Sequence, residues 1–133
     1  MQIMPATARA YGLTSENMAY NDRSIATAAR IIATLDRTLR SRVHDAEERK
    51  KFIVAAYNSG PAHVLDAIAL AEKYGYDTQR WDGQVAQALL LKSKPEYYND
   101  PVCKYGYFSG RQTTSYVREV FDFYEKAKKK IPK

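Results

Sequence analysis

Residues 55–61 read Ala-Ala-Tyr-Asn-Ser-Gly-Pro, and this stretch separates two predicted helices. The helix that leads into it is expected to begin at Asp45, because an aspartate caps a helix well and the two glutamates that follow suit the positive end of its dipole. Gly60 is typical of a helix end, whereas Pro61 is typical of a first helical turn, where its missing N–H costs nothing. The stretch therefore predicts two consecutive helices with a short connection.

Helical periodicity also precedes this stretch. A short helix is predicted at residues 4–11, and the helix after it is expected to be capped by Asn21, Asp22 or Ser24. Apolar residues then recur at the spacing of one helix face, which predicts a buried stripe. The stripe consists of Ile25, Ala28, Ala29, Ile32, Leu35 and Leu39.

The remainder of the chain continues the helical pattern. One helix is predicted from Pro61 to Gly75, one after the loop at residues 76–82, and one after Gly110, while residues 95–110 are expected to be irregular. The last two helices carry apolar stripes of Val85, Ala88, Leu89 and Leu91, and of Val117, Val120, Phe121 and Tyr124. Residues 1–133 therefore predict a single all-α domain without an inter-domain linker.

The net charge of the chain bears on the kinds of ligand that it can be expected to bind. The formal net charge is +6, and much of it comes from a C-terminal lysine run. Such a run suits the negative end of a helix dipole, but it also attracts polyanions such as nucleic acid, acidic lipid or cell wall. No helix-turn-helix or basic recognition stripe accompanies the charge, so nucleic-acid binding is not expected.

The sequence shows no evident targeting segment and no evident cross-link by disulfide or metal. No apolar run approaches the length of a membrane span, and residues 1–5 lack the features of a signal peptide. Cys103 is the single cysteine, so no internal disulfide is expected, and it has no evident histidine partner. His44 and His63 show no metal-ligand spacing, and His63, in a first helical turn, is expected at the surface. No metal or cofactor is predicted.

Four strings in the sequence are more specific than the periodicity. They are Met-Gln-Ile-Met-Pro-Ala-Thr-Ala at 1–8, the stretch at 55–61, Lys-Tyr-Gly-Tyr-Phe-Ser-Gly at 104–110 and Gln-Thr-Thr-Ser-Tyr-Val at 112–117. In this order they resemble the motifs of the lytic transglycosylase domain, a lysozyme-like family. The Tyr-Gly-Tyr string before the last helix is most similar to the membrane-bound F-type subgroup. The resemblance covers essentially the whole chain.

The resemblance implies a fold and an activity. The fold is an all-α, lysozyme-like helical domain that lacks its first, catalytic helix, because the family's glutamate would lie upstream of Met1. The intact enzyme would cleave the MurNAc–GlcNAc β-1,4 bonds of peptidoglycan with a 1,6-anhydro product, using one glutamate as acid and then base. Partial burial raises the pKa of such a glutamate. The chain as it stands is expected to be inactive.

The resemblance also implies roles for individual residues. Met1 and Gln2 would line the cleft and contact sugar, Tyr57 would orient the catalytic carboxyl, and Asn58 would bond to substrate or hold its loop. Tyr116 would face the cleft from the last helix. Stacking platforms for sugar rings would come from Tyr97, Tyr98, Tyr105 and Tyr107, although packing beneath a loop is an equal alternative for Tyr97 and Tyr98.

Two positions depart from the family pattern. Gln112 stands where the family often has glutamate, which weakens any charged role there. Ser109 stands where the F-type subgroup tends to have arginine, so a cation facing the substrate is lost or is replaced by Arg111. Other acidic residues, such as Glu119, have no motif context that would make them a substitute general acid.

The expected partners follow from this reading. The glycan strands of peptidoglycan are the predicted ligand, and the intact protein is expected in the periplasm or at the outer membrane. A non-catalytic glycan-binding module of the same fold is the alternative function. Without the catalytic helix, apolar side chains around Ile32, Phe52 and Ala56 are expected to face a groove, through which two copies of the chain would associate.

Overall fold

A computed structural model of the protein describes the backbone of residues 18–130 and the side-chain environment of residues 25–129. Within this range the elements are all helical, so the all-α fold class is confirmed. They are α1 (Met18–Arg40), α2 (Ala46–Ser59), α3 (Pro61–Tyr74), a wide turn (Trp81–Val85), α4 (Ala86–Leu91), α5 (Pro95–Tyr98) and α6 (Arg111–Lys130). The helix predicted at residues 4–11 lies outside the described residues.

The junction between α2 and α3 agrees with the prediction. The Asp45 carboxylate accepts the N–H of Glu47 at 2.9 Å and so caps α2. α2 ends at Ser59, and Gly60 makes the turn with a φ of 94°, a conformation that costs glycine little because it has no β-carbon. Pro61 occupies the first turn of α3. The short connection fixes the direction of α3 relative to α2.

α1 differs from the prediction in two respects. Asn21, Asp22 and Ser24 lie inside the helix, so none of them caps its start. Its apolar stripe is buried only at the C-terminal end, at Leu35 and Leu39. Ile25 and Ile32 are 56% and 39% exposed, because the described elements cover only the second half of α1. Burial depends on a neighbouring element, which periodicity does not supply.

The core surrounds α2, which packs against α1, α3 and α6. Phe52 on α2 and Trp81 in the wide turn are fully buried, and their rings meet edge to face at 5.3 Å. Ala56 is 2% exposed. The expectation that Phe52 and Ala56 face a groove is therefore wrong, because α3, α6 and the wide turn cover them. Only Ile32 of the three lies at an exposed apolar surface.

Residues 99–110, here called the tyrosine loop, connect α5 to α6. The region predicted to be irregular thus contains one short helix, α5. The loop ends at Gly110, which is buried against α4. Between residues 18 and 130 no helix is both long and apolar enough to cross a membrane.

Candidate functional site

The Tyr57–Asn58 pair lies in the last turn of α2, and both side chains are half-buried. The hydroxyl of Thr113 donates to the Asn58 side-chain oxygen at 2.7 Å, and Thr113 itself is only 1% exposed. This bond links the end of α2 to the first turn of α6. The bond fixes the orientation of the Asn58 amide, whose NH₂ group is a hydrogen-bond donor. Tyr57 packs partly against the core.

Tyr116 lies one turn beyond Thr113 on α6 and is 5% exposed. It contributes to the wall of a groove of about 810 Å³ that runs along α6. Among the described residues, the wall also contains Gln112, Ser115, Glu119, Val120, Phe123, Tyr124 and Ala127. Of the residues predicted for the site, Asn58 thus contacts α6 at Thr113, and Tyr116 lies one turn further along that helix, in the wall of the groove. Met1 and Gln2 lie outside the described residues.

The remaining aromatic candidates lie on the tyrosine loop and on α5. Tyr105 and Tyr107 are 57% and 60% exposed, on either side of Gly106. The ring of Tyr107 meets that of Tyr98 edge to face at 5.7 Å, whereas Tyr97 packs on the core and against Tyr74. Tyr97 is therefore a packing residue, and Tyr98 supports an exposed ring. Two exposed tyrosines on one loop offer faces on which sugar rings can stack.

A buried ion pair anchors the middle of the tyrosine loop. Lys92, just after α4, and Asp66, on α3, are 0% and 3% exposed, and their charged groups are 2.7 Å apart. Asp66 also accepts the backbone N–H groups of Lys104 and Tyr105, each at 3.0 Å. Burial opposes ionisation of Asp66, but the Lys92 ammonium and the two N–H groups outweigh it and lower its pKa. The carboxylate therefore stays charged and holds the loop.

His63 belongs to the same cluster, and the expectation that it is a surface residue is wrong. Its Nδ1 lies 2.8 Å from Lys92 Nζ, and its ring stacks on Phe108 of the tyrosine loop with centroids 4.2 Å apart. Burial and then the positive charge of Lys92 lower the pKa of His63. A first-turn residue is exposed only if nothing packs on it, and here the tyrosine loop does.

A second carboxylate anchors the beginning of the loop. Asp100 is 7% exposed and accepts from Lys73 Nζ and the Tyr74 hydroxyl of α3, each at 2.7 Å, and from the N–H of Val102. The Lys73 hydrogen bond, followed by those of Val102 and Tyr74, lowers the pKa of Asp100 to about 2. Both ends of the first half of the loop are thus tied to α3.

Sequence reasoning missed Thr113, Asp66 and Lys92. Asp66 interrupts the apolar stripe of α3, and Lys92 follows three leucines. A charged residue inside an apolar run indicates a buried, paired charge, and this feature was available in the sequence. Among residues 25–129 no group of three or more histidine, cysteine, aspartate or glutamate side chains is arranged to hold a metal ion.

Comparison with known proteins identifies the family. Residues 1–80 match the family model of the transglycosylase SLT domain. A protein of Desulfosudis oleivorans named membrane-bound lytic murein transglycosylase F is 32% identical over 126 residues, covering 89% of this chain and 26% of that protein. Proteins of the same name from Citrobacter koseri and Maricaulis maris are 36% and 38% identical, covering 90% and 57% of this chain and 22% and 16% of their own lengths.

The chain spans about a quarter or less of the length of these relatives. The matched range contains the Met-Gln-Ile-Met and Ala-Tyr-Asn strings, and in the structure the second of these ends α2 at the contact with α6. The sequence match and the helical fold agree. The chain belongs to the transglycosylase SLT domain family.

Proposed function

We propose that this chain is the glycan-holding part of a peptidoglycan lytic transglycosylase, which cleaves MurNAc–GlcNAc β-1,4 bonds and leaves a 1,6-anhydro product. The observation that carries the proposal is the Asn58 amide, fixed by the buried hydroxyl of Thr113 beside Tyr57. A preoriented amide donor suits a sugar hydroxyl or acetamido oxygen. The relatives named lytic murein transglycosylases support the same substrate.

The proposal gives each site residue one task. Asn58 donates to the glycan, Tyr57 orients the general acid, and Tyr116 shapes the groove along α6. Tyr107, supported by Tyr98, offers its face to a sugar ring. Met1 and Gln2, which precede the described residues, keep their proposed place in the lining of the cleft.

The general acid in this proposal is the family's glutamate upstream of Met1. A general acid must hold its proton near neutral pH, so its pKa must be raised. The two buried carboxylates among residues 25–129, Asp66 and Asp100, have lowered pKa values because cations and N–H groups bind them. Glu119 lines the α6 groove but is exposed to solvent. None of these three residues suits the role.

The second candidate function is a glycan-binding module without catalysis. It is favoured by the charged state of Asp66 and Asp100, because neither of these two buried carboxylates holds a proton that it could donate near neutral pH. The two functions share the glycan and differ in bond cleavage. Incubation with sacculi therefore separates them, whereas a binding measurement tests what they have in common.

The binding test uses the whole chain labelled with ¹⁵N and titrated with chitooligosaccharides. We expect the largest amide shifts at Asn58, Thr113 and Tyr116, together with a shift of the Asn58 side-chain NH₂ signal. Shifts confined to residues remote from α2 and α6, or no shift at all, would contradict both candidate functions.

Variants of Thr113 sharpen the test. Thr113→Val removes the hydroxyl and frees the Asn58 amide to rotate, so Kd for the oligosaccharide should rise roughly threefold to tenfold, the effect of one hydrogen bond. Thr113→Ser should restore the affinity. Thr114→Val is the matched control, because the hydroxyl of Thr114 bonds within α6 to the backbone of Arg111. Equal affinity in the Thr113→Val and Thr114→Val variants would sink the role of Asn58.

The proposal extends to partners and location. We place the intact protein in the periplasm or at the outer membrane, where peptidoglycan lies. We do not propose nucleic acid as a partner, because α6 lysines such as Lys126 and Lys128 lie near acidic residues of the same helix.

A second copy of the chain is proposed to cover the exposed apolar surface of α1 and α6. Antiparallel pairing of two α6 helices about Phe123 would bring Glu119 and Asp122 of one copy near lysines of the other.

A further inference from the structure

The cluster of His63, Asp66 and Lys92 has a geometry that ordinary core packing does not require. Lys92 is completely buried and donates to two acceptors, the Asp66 carboxylate at 2.7 Å and His63 Nδ1 at 2.8 Å. Lysine is rarely buried unless its charge is paired. The Asp66 carboxylate accepts from Lys92 at any neutral pH, whereas His63 Nδ1 stops accepting once it is protonated.

Each member of the cluster contacts the tyrosine loop. Asp66 accepts the N–H groups of Lys104 and Tyr105, and His63 stacks on Phe108. The backbone oxygen of Lys92 accepts the N–H of Phe108 at 3.2 Å. These contacts bracket Gly106 and the exposed Tyr107. Three residues beyond Phe108 α6 begins, and its third residue, Thr113, holds Asn58.

We propose that His63, Asp66 and Lys92 form a pH-sensitive clasp that closes the tyrosine loop in its glycan-binding conformation and loosens it on acidification. The part of this inference that concerns glycan rests on the proposed function, whereas the clasp itself does not. It makes His63 and Lys92 positioning residues, which act on the glycan through Tyr105 and Tyr107.

The chemistry of the clasp lies in one ring nitrogen. Neutral His63 can accept a hydrogen bond from the Lys92 ammonium at Nδ1. Protonated His63 carries a hydrogen on that nitrogen and directs it at a second cation 2.8 Å away. The two cations repel one another, and because Lys92 is fully buried their charges are poorly screened. The imidazolium is therefore driven towards solvent, and its stacking on Phe108 is lost.

The direction of the pH effect follows from the charges around His63. Lys92, after α4, disfavours the imidazolium, and Asp66, on the histidine's own helix, favours it, with burial and Lys92 prevailing. Cys103, contributed by the loop, stays a neutral thiol because burial raises its pKa. Since the pKa of His63 lies below the ordinary 6.5, the closed clasp binds fewer protons than the open one. Acidification therefore opens the clasp.

The first measurement follows hydrogen exchange of the Lys104 and Tyr105 amides, corrected for the intrinsic pH dependence of exchange. Between about pH 7.5 and about pH 5.5, which bracket the histidine range, protection should fall roughly fivefold, the lower end of typical coupling between sites. His63→Gln keeps an uncharged acceptor for Lys92 and should abolish the fall. His44→Gln changes the chain's other histidine, which is exposed, and should behave as the unmodified protein.

The second measurement titrates the whole chain with chitooligosaccharide at both pH values and gives Kd at each. The third measurement follows the protonation of the His63 ring nitrogens with pH in the unmodified protein. A weaker Kd at low pH that His63→Gln removes supports the clasp. A protection that does not change with pH, or an equal fall in His63→Gln, overturns it. A Tyr105 amide that does not titrate with the His63 ring also overturns it, even if the variant fails to fold. A responsive loop with no glycan bound at either pH refutes the proposed function and leaves the clasp standing.

Discussion

At Gly110 the absence of one carbon atom sets how closely the end of the tyrosine loop approaches α4. A β-carbon there would lie 2.9 Å from Leu89 Cγ and 3.0 Å from the Leu89 backbone oxygen. Backbone atoms cannot move aside as a flexible side-chain end can. A single atom also matters at the candidate site, where the hydroxyl oxygen of Thr113 fixes the orientation of the Asn58 amide.

Gly110→Ala should therefore destabilise the protein by roughly 1–3 kcal/mol, the usual cost of overpacking a filled site. Urea denaturation of the whole chain measures the change in the free energy of unfolding. Ser109→Ala is the control. Ser109 precedes Gly110 in the sequence and its side chain is exposed, so this substitution should alter the free energy of unfolding little. An alanine at 110 that unfolds at the same urea concentration as the unmodified protein would mean that α4 and the loop are less closely packed.

At the scale of elements, the tyrosine loop is an irregular segment held by charges on regular ones. Asp66 and the two side-chain partners of Asp100 lie on α3, so this helix carries the loop as well as its share of the core. Both carboxylates have lowered pKa values, which keeps them ionised over the neutral range. The loop is expected to be ordered although it has little regular structure of its own.

The Asp100 anchor makes stability depend on acid. Its pKa falls from the ordinary 3.8 to about 2 on folding, so the folded state binds fewer protons in between. The stabilisation is complete above about pH 4 and is lost as the pH falls through about 2. Asp100→Asn should therefore lower the melting temperature at neutral pH. The difference in melting temperature between this variant and the unmodified protein should narrow as the pH falls from about 4 to about 2. Asp122→Asn, at an exposed position of α6, should follow the unmodified protein throughout. A constant difference down to the lowest pH would show that Asp100 is not the titrating group.

At the scale of the whole molecule, several large apolar side chains of α1 and α6 are exposed among the described residues. Ile25, Ile31 and Phe123 are 56%, 44% and 75% exposed. The chain nevertheless has a net charge of +6, which opposes association by repulsion. The balance between these two effects sets the oligomeric state, and salt should shift it towards association because it screens the charge.

Phe123→Asp should weaken the proposed self-association at least about tenfold in Kd, as loss of a central aromatic anchor usually does. Light scattering over a concentration series measures the change. Tyr105→Asp is the matched control, since Tyr105 is also exposed but lies on the tyrosine loop. A single mass at every concentration in the unmodified protein, or an equal effect of both substitutions, would remove the second copy from the proposal.

The chain as it stands should not cleave peptidoglycan at the rate of an intact relative. This expectation rests on the proposal that the general acid is a glutamate outside residues 1–133, because loss of a general acid typically lowers a rate about 10²–10⁴-fold. Asp66, Asp100 and Glu119 do not fit that role. Purified sacculi are incubated with the chain, and 1,6-anhydro-muropeptides are sought by mass spectrometry. Product at a rate near that of an intact relative would assign the chemistry to a carboxylate of this chain and refute the upstream glutamate.

The sequence by itself predicted the features that local interactions control. The ends of α2 and α3 follow from Asp45, Gly60, Pro61 and Gly75, because caps and turns involve residues only a few positions apart. The order of four short motifs was sufficient for the family, which the match over residues 1–80 confirms. The roles of the site residues stay predictions.

Only the tertiary structure decided which residues are buried and which side chains meet. The half-exposed stripe of α1, the place of His63 and the orientation of Asn58 depend on partners that are distant in sequence. Thr113 and Asn58 are 55 positions apart, and Lys92 and Asp66 are 26 apart. Helical periodicity shows that a face is apolar, but burial requires a second element to pack on it. That packing comes from the fold of the whole domain.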